Sequence, residues 1–322
     1  MMYRFMVALL AGAIYIYSPG VWAASCCGGG SSTSLILPKF SKSMVDLSFD
    51  FENYDGFWNQ DGFVTPDPPE SDLNQYRFNT GYAHRLGSNW QASLVVPYVW
   101  NQNTYAGLDS RTNDFGDTQV NLWYEAFETV MCVWKVNEWE DLMPAAYFGA
   151  SLTLPTGTSP YNDVANSFDI TGRGFYRLDA NLLLDKTIYP WTATLLLSYG
   201  IYQERPVNRE YGNYVEPYEK KLGDRQLASL SFGYTQFLDS MDSLTYTLAY
   251  SYLNEDQGTI NGKTNYTSGF KKNAIGFTVT FSTLDNDWIF KGTYNHALDG
   301  DDYGRNFPIT DIFTIGVTRV FR

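Results

Sequence analysis

Val45-Asp46-Leu47-Ser48-Phe49-Asp50-Phe51-Glu52 is the stretch that decides the fold. In an extended chain Val45, Leu47, Phe49 and Phe51 fall on one side, and Asp46, Ser48, Asp50 and Glu52 on the other. That is the two-residue period of a strand with one apolar face. The rhythm returns in Trp90, Ala92, Leu94, Val96, Tyr98 and Trp100, an apolar face bracketed by aromatic rings at a membrane-sized separation. It is clearest in a hairpin: Tyr176, Leu178, Ala180, Leu182 and Leu184 oppose Arg177, Asp179, Asn181 and Asp185. Trp191, Ala193, Leu195, Leu197 and Tyr199 then follow a Tyr189-Pro190 turn.

Working outward, further segments run from Tyr76 to His84, Ala228 to Tyr234, Leu244 to Tyr252, Ile275 to Phe281 and Trp288 to His296. Val120, Leu122, Tyr124 and Ala126 mark another outward face, as do Phe148, Ala150, Leu152 and Leu154. The chain closes on Phe313, Ile315, Val317, Arg319 and Phe321. A strand crossing hydrocarbon shows one face to lipid and the other inward, and only a closed cylinder leaves no unpaired edge. The expectation is an all-β fold, a transmembrane up-and-down antiparallel β-barrel of about 12 strands, within a range of about ten to fourteen. The connection from Glu128 to Met143 is the least regular and has room for a helix or a strand extension.

Composition agrees. Aromatic residues make up 17 % of the chain, with 25 Tyr, 21 Phe and 9 Trp, as interfacial girdles require. Mean hydropathy is −0.28, and no apolar run of about twenty residues follows the N-terminal segment, which excludes transmembrane helices from the mature chain. The net charge of −13 includes the loop acids Asp55, Asp61, Asp67, Glu70 and Asp72, a surface that disfavours nucleic acid.

Residues 1–23 read as a signal peptide, with Arg4, an apolar core from Phe5 to Ile16, and Val21-Trp22-Ala23 before the cut. Residues 24–43 read as a flexible periplasmic leader carrying Gly28-Gly29-Gly30-Ser31-Ser32, and 44–322 as the barrel. Cys26, after Ala23-Ala24-Ser25, has a second reading as a lipidated cysteine. Cys26, Cys27 and the isolated Cys132 define no set of bridges. In the leader, Leu35, Ile36, Leu37 and Phe40 are apolar enough to enter the lumen, and a plain periplasmic lead-in is the alternative.

Short turns at Leu86-Gly87-Ser88-Asn89, Tyr189-Pro190, Asp239-Ser240-Met241-Asp242 and Asp285-Asn286 alternate with long loops. An even strand count then puts both termini at the short, periplasmic side of a bacterial outer membrane. The expected partners are outer-membrane lipid, a small-molecule permeant and the barrel assembly machinery. The machinery would read the closing strand, where Arg322 after Phe321 departs from an aromatic terminus.

The candidate lumen residues are Asp46, Asp50, Glu52, Arg77, Arg85, Asp117, Glu125, Arg177, Asp179, Asp185 and Lys291. Each reads first as a cross-strand partner that fills a narrow interior, with the acids of the first strand facing Arg77 and Arg85 of the second. Together they also form the filter that decides what passes.

Catalysis finds little purchase. Only His84 and His296 exist, and the residues two beyond them are Leu86 and Leu298, not the serine of a barrel phospholipase. No metal ligand spacing and no haem attachment motif occur, so no cofactor is expected. Asp299-Gly300-Asp301-Asp302 lacks the full calcium-loop pattern and reads as a solvated turn. Lys271 and Lys272 are placed in an outer loop beside Phe270.

Three short motifs occur in order: Leu94-Val95-Val96-Pro97-Tyr98, Phe115-Gly116-Asp117-Thr118-Gln119-Val120 and Leu152-Thr153-Leu154-Pro155-Thr156-Gly157. In them the chain resembles the outer-membrane channel family named for the meta-pathway of phenol degradation. The Cys26-Cys27-Gly28-Gly29-Gly30 leader looks like one found in related barrels. The resemblance covers mainly Leu94 through Gly157 and implies passive passage of small molecules, hydrophobic or aromatic ones included. It carries over no residue of a transport site. The expected function is therefore an outer-membrane channel, not an enzyme, formed by one chain. The alternatives are a closed barrel that presents its acidic loops to partners and, further off, an outer-membrane hydrolase.

Overall fold

The computed structural model describes residues 35–38, 41–59, 61–126, 132–164, 166, 168–240, 242–283, 287–298, 300, 303 and 307–322. Twelve antiparallel strands form the barrel: β1 (Ser43–Trp58), β2 (Asp72–Arg85), β3 (Trp90–Tyr105), β4 (Thr118–Glu125), β5 (Ala145–Leu154) and β6 (Arg177–Ile188). They continue as β7 (Trp191–Tyr202), β8 (Arg225–Phe237), β9 (Ser243–Glu255), β10 (Phe270–Ser282), β11 (Trp288–Leu298) and β12 (Phe307–Phe321). Each pairs with the next, and β12 returns to β1 from Ser43↔Phe321 to Trp58↔Phe307. The cylinder is closed.

Alternation sets the two faces. Along β1 the residues from Met44 to Tyr54 at even positions are buried inside, while Val45, Leu47, Phe49 and Phe51 look outward. The outer face carries Leu94, Leu122, Leu152, Leu230, Leu248 and Phe277 as a bare apolar belt. Rings edge it toward the short turns, where Trp90 meets Tyr124 at 4.9 Å and Trp191 meets Tyr234 at 5.0 Å between centroids. Toward the long loops Tyr98 meets Phe115 edge-on at 5.4 Å. Such a surface is stable only against lipid.

Several strands overshoot the membrane. β1 and β3 have 16 residues each, whereas about 9–11 suffice to cross. The excess lies toward the long loops, where no lipid enforces alternation. Beyond the rim, Arg205–Glu210, Asn213–Lys221, Thr259–Ile260 and Lys263–Thr264 pair into a separate small sheet. The irregular connection after β4 holds both expected elements in miniature. Cys132–Val133 pairs in parallel with the end of β6, and Trp139–Leu142 makes a single 3-10 turn. No helix among the described residues is long and apolar enough to cross a membrane. Cys26 and Cys27, the turn Asp285-Asn286, and Asp299, Asp301 and Asp302 lie outside the described residues.

Candidate functional site

The lumen gathers the charged ladder. All eleven candidate residues point inward, nine of them buried and Arg85 and Asp185 half-buried. Lys291 Nζ reaches Asp46 at 2.8 Å by passing over Gly316 of the intervening strand, where a Cβ would collide with its stem. Thr318 donates to the same carboxylate at 2.5 Å. Arg77 lies 3.8 Å from Asp50 and 3.5 Å from Glu52, on the neighbouring strand. Arg177 instead pairs within its own strand, with Asp179 at 2.8 Å, and Asp185 accepts from Thr194 at 2.6 Å.

Two expectations are corrected. Arg85 does not face the acids of β1: it sits at the short-turn rim, 3.6 Å from Glu125, and donates to the carbonyls of Ser41 (3.0 Å), Ser88 (3.1 Å) and Pro38 (3.4 Å). At the last position of β2 it lies beyond the acids of β1 and level with the end of β4. Lys272 is not in an outer loop but inside β10, buried and hydrogen-bonded to Thr310. The strand begins earlier than its lipid-facing residues reveal.

The three sequence motifs meet at one point. β3 pairs first with β4 and then with the strand Leu108–Phe115 that precedes it, and the register jumps from Val95↔Gln119 to Tyr98↔Phe115, so three steps face four and a β-bulge forms at Gly116-Asp117. Pro97 has no N–H to offer the ladder there, and Gly116 N–H donates to its carbonyl at 2.8 Å. Gly116 has no room for a side chain, since a Cβ would stand 2.8 Å from Pro97 Cγ. The bulge aims Asp117 into the lumen. Thr156 Oγ1 then donates to the Gly116 carbonyl at 2.6 Å and accepts from Thr118 N–H at 2.9 Å. In this way the loop after Pro155 is turned inward.

That loop, described over residues 155–164, 166 and 168–176, lines the lumen mouth. Asn101 and Asn103 of β3 donate to the carbonyls of Ile170 (3.1 Å) and Phe168 (3.0 Å), and Ile170 and Phe175 are buried. Asp117 accepts from Gly157 N–H at 3.2 Å and from Arg173 N–H at 2.7 Å. From this anchor the Arg173 guanidinium reaches Glu255 at the end of β9, with Nη2 to Oε1 at 2.6 Å and Nη1 on Oε2. Arg173 Nη1 also donates to Tyr202 Oη at 2.6 Å. β4 and β9 are five strands apart in a ring of twelve, so Asp117, Arg173 and Glu255 form a bar across the mouth.

Deeper in, the lumen holds a pocket of about 360 Å³ in the short-turn half of the barrel. Hydroxyls of Thr194, Ser231, Thr247 and Thr280 line it on one side, and Met44, Tyr147, Leu183 and Ile289 supply apolar surface. An apolar track continues up the inner wall through Trp123, Leu196, Leu227 and Leu253. Leu35–Pro38 of the leader enter this space, Leu35 and Leu37 being buried there, so of its two placements the chain takes the lumenal one. Phe40 lies outside the described residues.

The histidines look away from the lumen. His84 stacks on Tyr82 with Nδ1 3.3 Å from its hydroxyl, and His296 Nδ1 lies 2.7 Å from Asp311 on the outer surface. Among the described residues no cluster of His, Cys, Asp and Glu could hold a metal ion.

No family model and no curated relative matches this sequence. In fold the chain is similar to an outer-membrane channel from Pseudomonas putida F1, with a TM-score of 0.65 and 14 % identity over 89 % of this chain and 97 % of that one. It is also similar to the beta domain of the Bordetella autotransporter BrkA, with a TM-score of 0.50 and 12 % identity over 87 % and 100 %. The chain has the fold of an outer-membrane β-barrel. In this outer-membrane β-barrel the strands carry lipid contact and charge pairing, while a loop and the leader occupy the space the wall leaves.

Proposed function

We propose that the protein is a passive channel for small molecules with apolar surface, of the kind the phenol meta-pathway resemblance implies. The observation that carries this is the lumenal pocket of about 360 Å³. Eight strands fill their interior with side chains alone, and twelve do not. Here the filling is completed by two segments that are not part of the wall, residues 35–38 and the described part of the loop after Pro155. A permanently closed barrel gains nothing from that arrangement.

The apolar track from Tyr147 through Leu196 to Leu253 supports an apolar permeant, because a solute moving along it keeps its carbon skeleton out of the charged wall. The channel from Pseudomonas putida supports the reading by likeness of fold. Purified protein in liposomes should admit small neutral solutes, read by swelling, and soluble aromatic compounds should compete for passage. No uptake of any small solute by folded protein, with Leu35 and Leu37 in place and with both replaced by serine, would overturn the proposal in favour of the closed, surface-presenting barrel.

A further inference from the structure

On the wall made by β1, β2, β3 and β12 the lumen holds an apolar cup, and the chain itself occupies it. Met44, Ala83, Val95 and Val320 point inward from β1, β2, β3 and β12, and together with Leu35 and Leu37 they make a single buried cluster. Opposite Leu35 stands Gly81 in the interior of β2, at an inward position where a Cβ would collide with Leu35 Cδ1. A glycine weakens a strand interior unless something must approach closely. Here that something is Leu35.

The seat is polar at one point. Leu37 N–H donates to Gln91 Oε1 at 2.6 Å, and Gln91 is buried with its Nε2 making no hydrogen bond. Ile36 turns the other way and packs against the wall of Trp123, Tyr147 and Leu183. An extended segment whose alternate residues touch opposite walls spans the lumen. At its lower end Arg85 clasps the carbonyls of Pro38 and Ser41, and Lys42 N–H donates to the carbonyl of Phe321 at 2.8 Å.

We propose that Leu35–Pro38 form a built-in closure of the lumen, that the cup around Gly81 and Gln91 is its binding site, and that its departure opens the path. The inference rests on the channel reading. The cup fits an apolar segment that offers one backbone N–H, and Arg85 is the positioning residue that holds the strap at the rim.

The test uses the full chain with Cys26, Cys27 and Cys132 replaced by serine and Ile36 replaced by cysteine. A membrane-impermeant maleimide should label this cysteine slowly, and Gly81→Leu should speed labelling by an order of magnitude or more. The same substitution should raise single-channel conductance in potassium chloride several-fold. Equal labelling with Gly81 and with Gly81→Leu would overturn the seat. Faster labelling without a rise in conductance would overturn the closing role. Absence of current from both forms, with the labelling contrast intact, would overturn the channel reading and with it the closure, leaving only the docked strap. If Gly81→Leu does not reach the heat-modifiable folded form, Leu35→Ser with Leu37→Ser, which empties the cup without touching the wall, replaces it with the same outcomes.

Discussion

Arg173→Ala is expected to raise the single-channel conductance several-fold and to shift selectivity toward cations. The guanidinium is what spans the mouth: its backbone N–H is held by Asp117, and its side chain ends on Glu255 and Tyr202. Truncation at Cβ removes the bar and one positive charge, so the field around Asp117, Asp179 and Glu255, still faced by Arg177 and Arg225, shifts in the negative direction. It also strips Glu255 of a bidentate partner, which in a dry site is strongly destabilising. The variant Arg173→Ala with Glu255→Gln separates the two effects. It should keep the raised conductance, lose much of the selectivity shift and recover stability, a non-additivity expected for groups in direct contact. Unchanged conductance in both variants would mean that the narrowest point lies elsewhere.

Much of this barrel was legible from alternation alone, because a one-residue slip would turn every lipid-facing side chain into the lumen. Leu94, Leu122 and Leu248 could point nowhere but outward, and Asp46, Arg77 and Asp179 followed them inward. The strand ends were not legible. Alternation is enforced only where hydrocarbon touches the wall, and β8, β9 and β10 continue past that zone to Arg225, Glu255 and Lys272. These charged residues were consequently missed or placed in a loop.

The pairing of charges was less legible than their direction. Lys291 finds Asp46 across a whole strand because residue 316 is a glycine, and no local pattern announces that. Arg173 carried no signal in the sequence, since its position depends on acceptors 56 and 82 residues away. Pro97, Gly116-Asp117 and Pro155-Thr156-Gly157 did stand out as motifs. Their meaning as one knot appeared only when the register jump between β3 and β4 brought them together.

Arg77→Met is expected to destabilise the folded barrel by about 3–5 kcal/mol, read as a shift in the urea unfolding transition of protein in lipid vesicles. Arg77 is buried between Asp50 and Glu52, and its Nη2 donates to Gln75 Oε1 at 2.6 Å. Removing it leaves two inward carboxylates without their nearest cation, and Lys272 faces Glu52 from another strand while bonded to Thr310. Asp50→Asn with Glu52→Gln on the same background should recover most of the loss, since it removes the stranded charges. The size of the effect reports where water goes. A cost below about 1 kcal/mol is the value for exposed ion pairs and would place Arg77 in a hydrated passage. A cost in the expected range means that this side of the lumen is packed and dry. The permeant must then travel along the opposite wall, past Tyr147, Leu196 and Leu253, where the inner surface is apolar and the strap and the loop are the obstacles.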